Sequence, residues 1–260
     1  TQPRRRIDRD RLAGAGRGLS VHEADHLVAA GLALLIRLNP AVAIFENVPS
    51  YRNTASASII RQQLRDMGYE TQEVELLATD FGDLEARRRW CLVAVTRGIE
   101  FDLSALPVPG PSDRTIADVL ESIEAVAGDW SPMVGLKAKQ ERDLAAGKNF
   151  RMQIFNGTEG SINTLTKGLA KNRSTDPKIQ HPEHPELLRV PTPAEHARFK
   201  GINERIVHGI SKLMAHQLLG QSVCTGPFRA LATFIGESVK AWAHRAPTLR
   251  AQQVIFRVAA

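Results

Sequence analysis

The chain has 260 residues, 43% hydrophobic and 24% charged, the balance of an ordinary globular protein rather than a disordered or fibrous one. Its two cysteines, Cys91 and Cys224, exclude a disulfide scaffold and any multi-cysteine zinc module. The net charge of +6 is uneven: residues 1–20 carry +4, residues 133–180 carry +5 and the rest sums to −3, which suits a polyanion partner or a solvated basic surface. The longest apolar run, Leu27 to Ile36, is ten residues long. A membrane helix needs about 20, so no spanning segment is expected. The start, Thr-Gln-Pro-Arg-Arg-Arg, has neither a methionine nor a signal-peptide pattern and reads as a cleavage boundary.

In chain order, Ser20 and Glu23 form a capping box that predicts a helix to about Asn39, with Leu27, Ala30, Leu34 and Leu35 facing inward and Pro40 as the stop. Ala41 to Phe45 is continuously apolar, as in a strand buried on both faces of a parallel sheet. A second helix is expected over Ile59–Met67, closed by Gly68, followed by strands around Thr71–Leu77 and Trp90–Thr96. This order is the second half of an open α/β sheet. Pro107, Pro109 and Pro111 mark a change of composition, with a short helix at Ile116–Ile123 and weak periodicity beyond it. Residues 1–100, 101–188 and 189–260 are therefore read as sheet, small irregular basic subdomain and returning helices. Thr192-Pro193-Ala194-Glu195 restarts regular structure with N-cap, N1 proline and capping glutamate, and helices follow around 194–200, 211–219 and 227–243.

Three clusters carry possible chemistry. Glu46 in Phe45-Glu46-Asn47-Val48 sits at the carboxyl end of the buried strand, the edge where open α/β sheets bind ligands. In Glu85-Ala86-Arg87-Arg88-Arg89, strand alternation puts Arg87 and Arg89 on one face. Gly220-Gln221-Ser222 follows a helix, where glycine admits close backbone approach and two polar side chains can touch a ligand.

Their order is informative. Phe45-Glu46-Asn47-Val48, Gly68-Tyr69, Asp80-Phe81-Gly82 and Arg87-x-Arg89, then Arg189-Val-Pro-Thr192-Pro193-x-Glu195-x-x-Arg198 and Gly220-Gln221-Ser222, closely resemble the DNA cytosine-5 methyltransferase family over roughly residues 20–235. The sequence departs from that pattern in three places. Glu85 stands where the family's arginine motif has glutamine, no Pro-Cys nucleophile precedes Glu46, and the donor glycine motif is only imitated by Gly14-x-Gly16-x-Gly18. Cys91 and Cys224 lie on the wrong side of Glu46 and read as small buried hydrophobes.

The resemblance implies the carboxyl half of a Rossmann-like S-adenosylmethionine-dependent methyltransferase sheet, cut just past the nucleophile, with a DNA-recognition subdomain. It implies that Glu46 holds a flipped cytosine through N3 and the exocyclic amine, while Arg89, with Arg87 beside it, faces the base O2. Gln221 and Ser222 would help close the S-adenosylmethionine pocket, and Lys171, Arg173 and Lys178 would contact DNA. Thr192, Pro193 and Glu195 are expected to be structural, and residues 1–19 to be the loop that closes over DNA. The implied partners are double-stranded DNA and an amino-terminal half that supplies the cysteine, in a bacterial or phage-type cytoplasmic setting. The alternative is a methyltransferase-like DNA-binding or regulatory protein without catalysis. No metal ligand set is apparent. A free-standing complete sheet would contradict the expectation that the strand at 41–45 lacks a neighbour.

Overall fold

The computed structural model describes residues 21–148 and 151–258, with side chains described over 28–148 and 151–245. Ser20, Gly14, Gly16, Gly18 and the side chain of Leu27 lie outside these, as do the expectations placed on them. Two compact units are present. One comprises the described residues to Gln72 together with Leu92–Arg97, and the other comprises Glu73–Cys91 with the residues from Gly98 onward.

In the first unit, α1 spans Val21–Leu38. The chain leaves it through Asn39 at φ +41° and Pro40, which cannot continue a helix. Of the inward face expected for α1, Leu35 is buried, whereas Leu34 is 57% exposed and Ala30 is exposed. The helix β1 follows is thus apolar without being covered, and Ile36 and Leu38 are also exposed. Strand β1, Val42–Asn47, is likewise only half-buried, with Ile44 41% exposed. This corrects the expectation of burial on both faces. The sheet has the order β1-β4-β2, so β1 is an edge strand. Helix α2, Ala55–Asp66, begins four residues earlier than the periodicity suggests, because Thr54 caps it by accepting the Ala57 amide at 3.2 Å. Gly68 follows its end at φ +83°, the left-handed geometry expected of it.

Strand β2 runs over Tyr69–Leu77. A two-residue strand β3, Glu85–Ala86, precedes β4, Arg88–Thr96, whose residues from Trp90 to Val95 are fully buried. In the second unit the region read as irregular contains one helix that weak periodicity concealed, α3, Val134–Ala145, entered through Met133 at φ +47° instead of a polar cap. Strands β5, Ile154–Phe155, and β6, Ile162–Asn163, follow, then β7, Lys178–Gln180, and β8, Leu188–Arg189. Strand β3 pairs in parallel with β6, while β7 pairs in parallel with β5 and antiparallel with β8. The expected helix at 116–123 is a single 3-10 turn, Ile116–Val119, because Leu120 is already extended.

The chain then forms α4, Pro193–Phe199, α5, Lys212–Gln221, and α6, Thr225–Val258. The capping box of α4 is present in full, with Glu195 N donating to Thr192 Oγ1 at 3.2 Å and Thr192 N to Glu195 Oε2 at 2.9 Å. One core joins Leu84, Ile116, Ile162, Leu165, Ile179 and Phe199. The sequence boundaries at 100 and 188 therefore fall inside a single packed unit. No described helix is long and apolar enough to cross a membrane.

Candidate active site and nucleic-acid interface

Glu46 lies near the carboxyl end of β1 and is half-buried, and the Asn47 carboxamide beside it accepts the Val48 amide at 2.8 Å, which ends the strand in a fixed turn. The arginine cluster belongs to the second unit. Arg88 is exposed and Arg89 half-buried at the start of β4, while Arg87, in the break between β3 and β4, is buried. Arg89 donates to the Arg88 carbonyl at 2.6 Å. Arg87 donates through Nη2 to the Gly220 carbonyl at 3.2 Å, and its Nη1 lies 3.5 Å from Glu85 Oε1. The expectation that Arg87 faces a base beside Arg89 is thereby corrected: at 6% exposure its guanidinium is committed to protein groups.

Glu85 is the hub of this region and was not foreseen as one. It is fully buried, its Oε2 is 2.9 Å from Lys200 Nζ, and its Oε1 accepts the Leu165 amide at 3.1 Å. Burial also lowers the Lys200 pKa from the usual lysine value, opposed by the Glu85 charge. The only sequence signal was that Glu85 replaces the family's glutamine. Nearby, His196 and His216 are fully buried and their Nδ1 atoms are 3.0 Å apart, so one imidazole donates to the other. Burial pushes both below the ordinary histidine value, His216 to about 4 and His196 to about 2.

The Gly220–Ser222 turn also differs from the expectation. A Cβ on Gly220 would sit 2.0 Å from the Lys167 nitrogen, so this glycine exists for packing against the 166–167 backbone and not for approach of a ligand. Gln221 is exposed, whereas the Ser222 hydroxyl donates to the Leu219 carbonyl at 2.7 Å and caps α5. Of the three residues expected there, only Gln221 presents an exposed polar side chain. Neither cysteine is a reactive thiol: Cys91 is fully buried, and burial of Cys224 pushes its pKa up to about 12.

Among the predicted DNA contacts, Lys171 and Arg173 are exposed, with the Arg173 guanidinium lying across Gly168. Lys178 is not a DNA contact. It is 0% exposed, donates to the carbonyls of Arg173 at 2.8 Å and Asp176 at 2.9 Å, and burial lowers its pKa to about 8. The sequence shows its charge but not the carbonyls that consume it.

Glu195 carries more than a cap. Its two oxygens meet Arg189 Nη1 and Nη2, each at 2.6 Å, and Oε1 also accepts the Glu121 amide at 2.8 Å. The Arg189 guanidinium in turn lies 4.9 Å from the Trp130 ring centre. A separate cavity of about 460 Å³, lined by Phe81, Pro107, Pro109 and Phe234 among others, includes none of the predicted site residues. No cluster suited to a metal ion occurs among the described residues.

The fold is that of methyltransferases. A Dnmt2 methyltransferase of S. pombe superposes with a TM-score of 0.68 at 20% identity, covering 80% of this chain and 69% of that one. A methyltransferase of Entamoeba histolytica, EhMeth, gives 0.60 at 18% identity over 77% of this chain and 63% of its own. The chain belongs to the C-5 cytosine-specific DNA methylase family, whose pattern matches residues 12–237. It is also similar to the type II methyltransferase M.NlaX of Neisseria lactamica, 26% identical over 205 residues, which are 76% of this chain and 64% of that relative. The chain thus spans less than two thirds of that curated relative's length.

Proposed function

We propose that this chain is the carboxyl-side part of a DNA cytosine-5 methyltransferase acting on a cytosine flipped from duplex DNA, with the nucleophilic cysteine supplied by an amino-terminal part. The observation that carries the reading is the family match over residues 12–237 combined with the burial of both thiols. The exposed apolar side chains of α1 and the open edge of β1 support the second clause, since such surfaces take up a further strand or helix. The amino-terminal part of the same enzyme is the occupant this favours, because no Pro-Cys pair precedes Glu46 and both thiols present are buried.

In this reading Glu46 accepts the exocyclic amine of the flipped base and shares a proton with N3, dispersing the charge that forms when a thiolate adds to C6. Extracting the base costs a few kcal/mol, offset by contacts of this kind. Arg89 donates to the base O2, and its rigid guanidinium suits a carbonyl oxygen. Arg87 does not reach the base and fixes the turn that carries Gln221, which would contact the donor. When bound, S-adenosylmethionine supplies the methyl group. Lys171 and Arg173 neutralise phosphates. The alternative of a DNA-binding protein without catalysis draws on the same burial of Cys91 and Cys224.

The test is transfer of labelled methyl groups to mixed-sequence DNA. The purified chain should give none, and addition of a family amino-terminal part should restore it. Glu46→Ala and Arg89→Ala should then each remove at least about a hundredfold of the restored rate, the usual scale for a lost proton-holding or electrostatic contact. Methylation by the chain alone would overturn the reading. Failure of every amino-terminal part to restore activity, with DNA binding retained, would favour the non-catalytic alternative.

A further inference from the structure

Two segments distant in sequence, together with the neighbouring Arg87, converge on one carboxylate. Glu85 Oε2 holds Lys200 Nζ at 2.9 Å, and Glu85 Oε1 lies 3.5 Å from Arg87 Nη1 while accepting the Leu165 amide at 3.1 Å. The two cations so held each donate to a carbonyl of the same turn: Arg87 to Gly220 at 3.2 Å and Lys200 to Ser222 at 3.4 Å. Gln221, exposed between those carbonyls, is thus the free side chain of a turn clamped on both sides. The Leu165 bond adds the recognition segment, since Gly220 packs so closely on Lys167 that no Cβ could intervene.

We infer that Glu85 is a positioning residue, whose single carboxylate sets the register of the Gly220–Ser222 turn against the segment carrying Lys167. The charges explain why a carboxylate is needed. Glu85, Arg87 and Lys200 are all buried, so a neutral residue at 85 would leave two cations facing each other away from water. Removing Lys200 leaves Glu85 and Arg87 as a balanced pair. The cost of Glu85→Gln should therefore exceed that of Lys200→Gln, and the second change should relieve the first.

The inference rests on the proposed function only for what the turn is used for. Its test contains neither DNA nor S-adenosylmethionine, so the two can fail separately. The whole chain with Gln221→Cys is labelled with a nitroxide. Cys91 and Cys224, 0% and 2% exposed, do not compete for the reagent. Thermal unfolding and label mobility are then read in Glu85→Gln, Lys200→Gln and the double variant. The double variant should unfold at a higher temperature than Glu85→Gln, a non-additivity expected of groups in contact. In the folded double variant the label should nevertheless tumble about twofold or more faster than in the parent, because the clamp is loosened locally and not the whole fold. A residue that only stabilised the core would leave the mobility of a folded protein unchanged. Additive losses of stability, or an equally immobile label in the folded double variant, would each overturn the assignment.

Discussion

The two compact units differ in how they handle charge, while both leave some apolar side chains exposed, Val134 and Ile206 of the second at 68% each. The second takes charges out of water and gives each a partner: Glu85 with Lys200, Arg189 with Glu195, and Lys178 with two backbone carbonyls. The first leaves apolar groups in water, with Leu34, Ile36 and Leu38 of α1 all more than half exposed. Buried ion pairs are seldom the cheapest source of stability, since desolvation offsets much of the attraction. What Glu85–Lys200 contributes in the second unit is register, because it ties together segments far apart in sequence, whereas Arg189–Glu195 and the Lys178 bonds fix local turns. In the first unit the exposed apolar side chains include three on α1 and Ile44 of the edge strand β1. The contrast is therefore one of charge, buried and paired in the second unit, while the exposed apolar face of α1 and β1 is the association surface we propose for the first.

The sharpest break of that contrast is Glu195→Ala. It strips Arg189 of both its oxygens, removes the side-chain half of the α4 capping box while the backbone half onto Thr192 Oγ1 survives, and leaves the Glu121 and Thr192 amides without their acceptor. A buried charge left unpaired costs about 3–5 kcal/mol, which should appear as a large fall in the denaturant midpoint with little change in slope. A loss below about 1 kcal/mol, the scale of an exposed pair, would mean that the Arg189–Glu195 contact is weaker than its geometry.

Lysines come next, because they separate structural from phosphate-contacting charge. Lys178→Ala should lower stability by about 2–4 kcal/mol, since it removes a buried chain and takes a donor from the Asp176 carbonyl, while the Arg173 carbonyl keeps the Asp176 amide at 3.1 Å. The salt dependence of DNA binding should stay as it was. Lys171→Ala with Arg173→Ala should do the opposite, leaving stability intact and reducing the slope of log affinity against log salt by roughly two. Equal effects of all three on the salt slope would contradict the burial of Lys178.

The histidine pair predicts a pH dependence of smaller size. Unfolded histidines titrate near the ordinary value of 6.5, whereas folded His216 stays neutral to about 4 and His196 lower still. Below 6.5 the unfolded state therefore binds more protons, and the stability present above that pH is lost as pH falls toward about 4. Asp83 acts with the other sign. Burial raises it from 3.8 to about 6, so the native state binds more protons in between and this contribution shrinks as pH rises through that window. Denaturant midpoints across pH 4–7 should fall on the acid side, and His216→Gln should remove about one proton's worth of that slope.

The sequence made the local chemistry legible. Thr192 and Glu195 declared the cap of α4, Gly68 the end of α2, and the apolar run after Trp90 the buried strand β4. Composition could not say which charges would be consumed by the fold. Lys178 and Lys171 look alike in a basic stretch, and only the return of the chain past the Arg173 and Asp176 carbonyls separates them. Strand alternation would give Arg87 and Arg89 one shared face, but Arg87 falls in the break between β3 and β4, where its amide donates to the Glu85 carbonyl and its side chain turns inward toward Gly220. Ala41–Phe45 reads as doubly buried because its residues are apolar, but burial also needs a neighbour, and β1 ends its sheet.

The smallest expected effect bears on that edge. Leu34, Ile36 and Ile44 are 57%, 53% and 41% exposed, so converting each to a polar residue removes little area that folding takes out of water. Leu34→Ser, Ile36→Ser and Ile44→Thr should each change the unfolding free energy of the isolated chain by no more than about 0.5 kcal/mol, the range of ordinary surface substitutions. The same changes should weaken assembly with an amino-terminal part, since burying a Leu or Ile side chain at an interface is worth about 1.5–3 kcal/mol. Paired measurements on chain and complex separate the two quantities. A large loss in the isolated chain would show that these side chains already belong to its own core, and equal affinity of the variants for the amino-terminal part would show that this face is not where it docks.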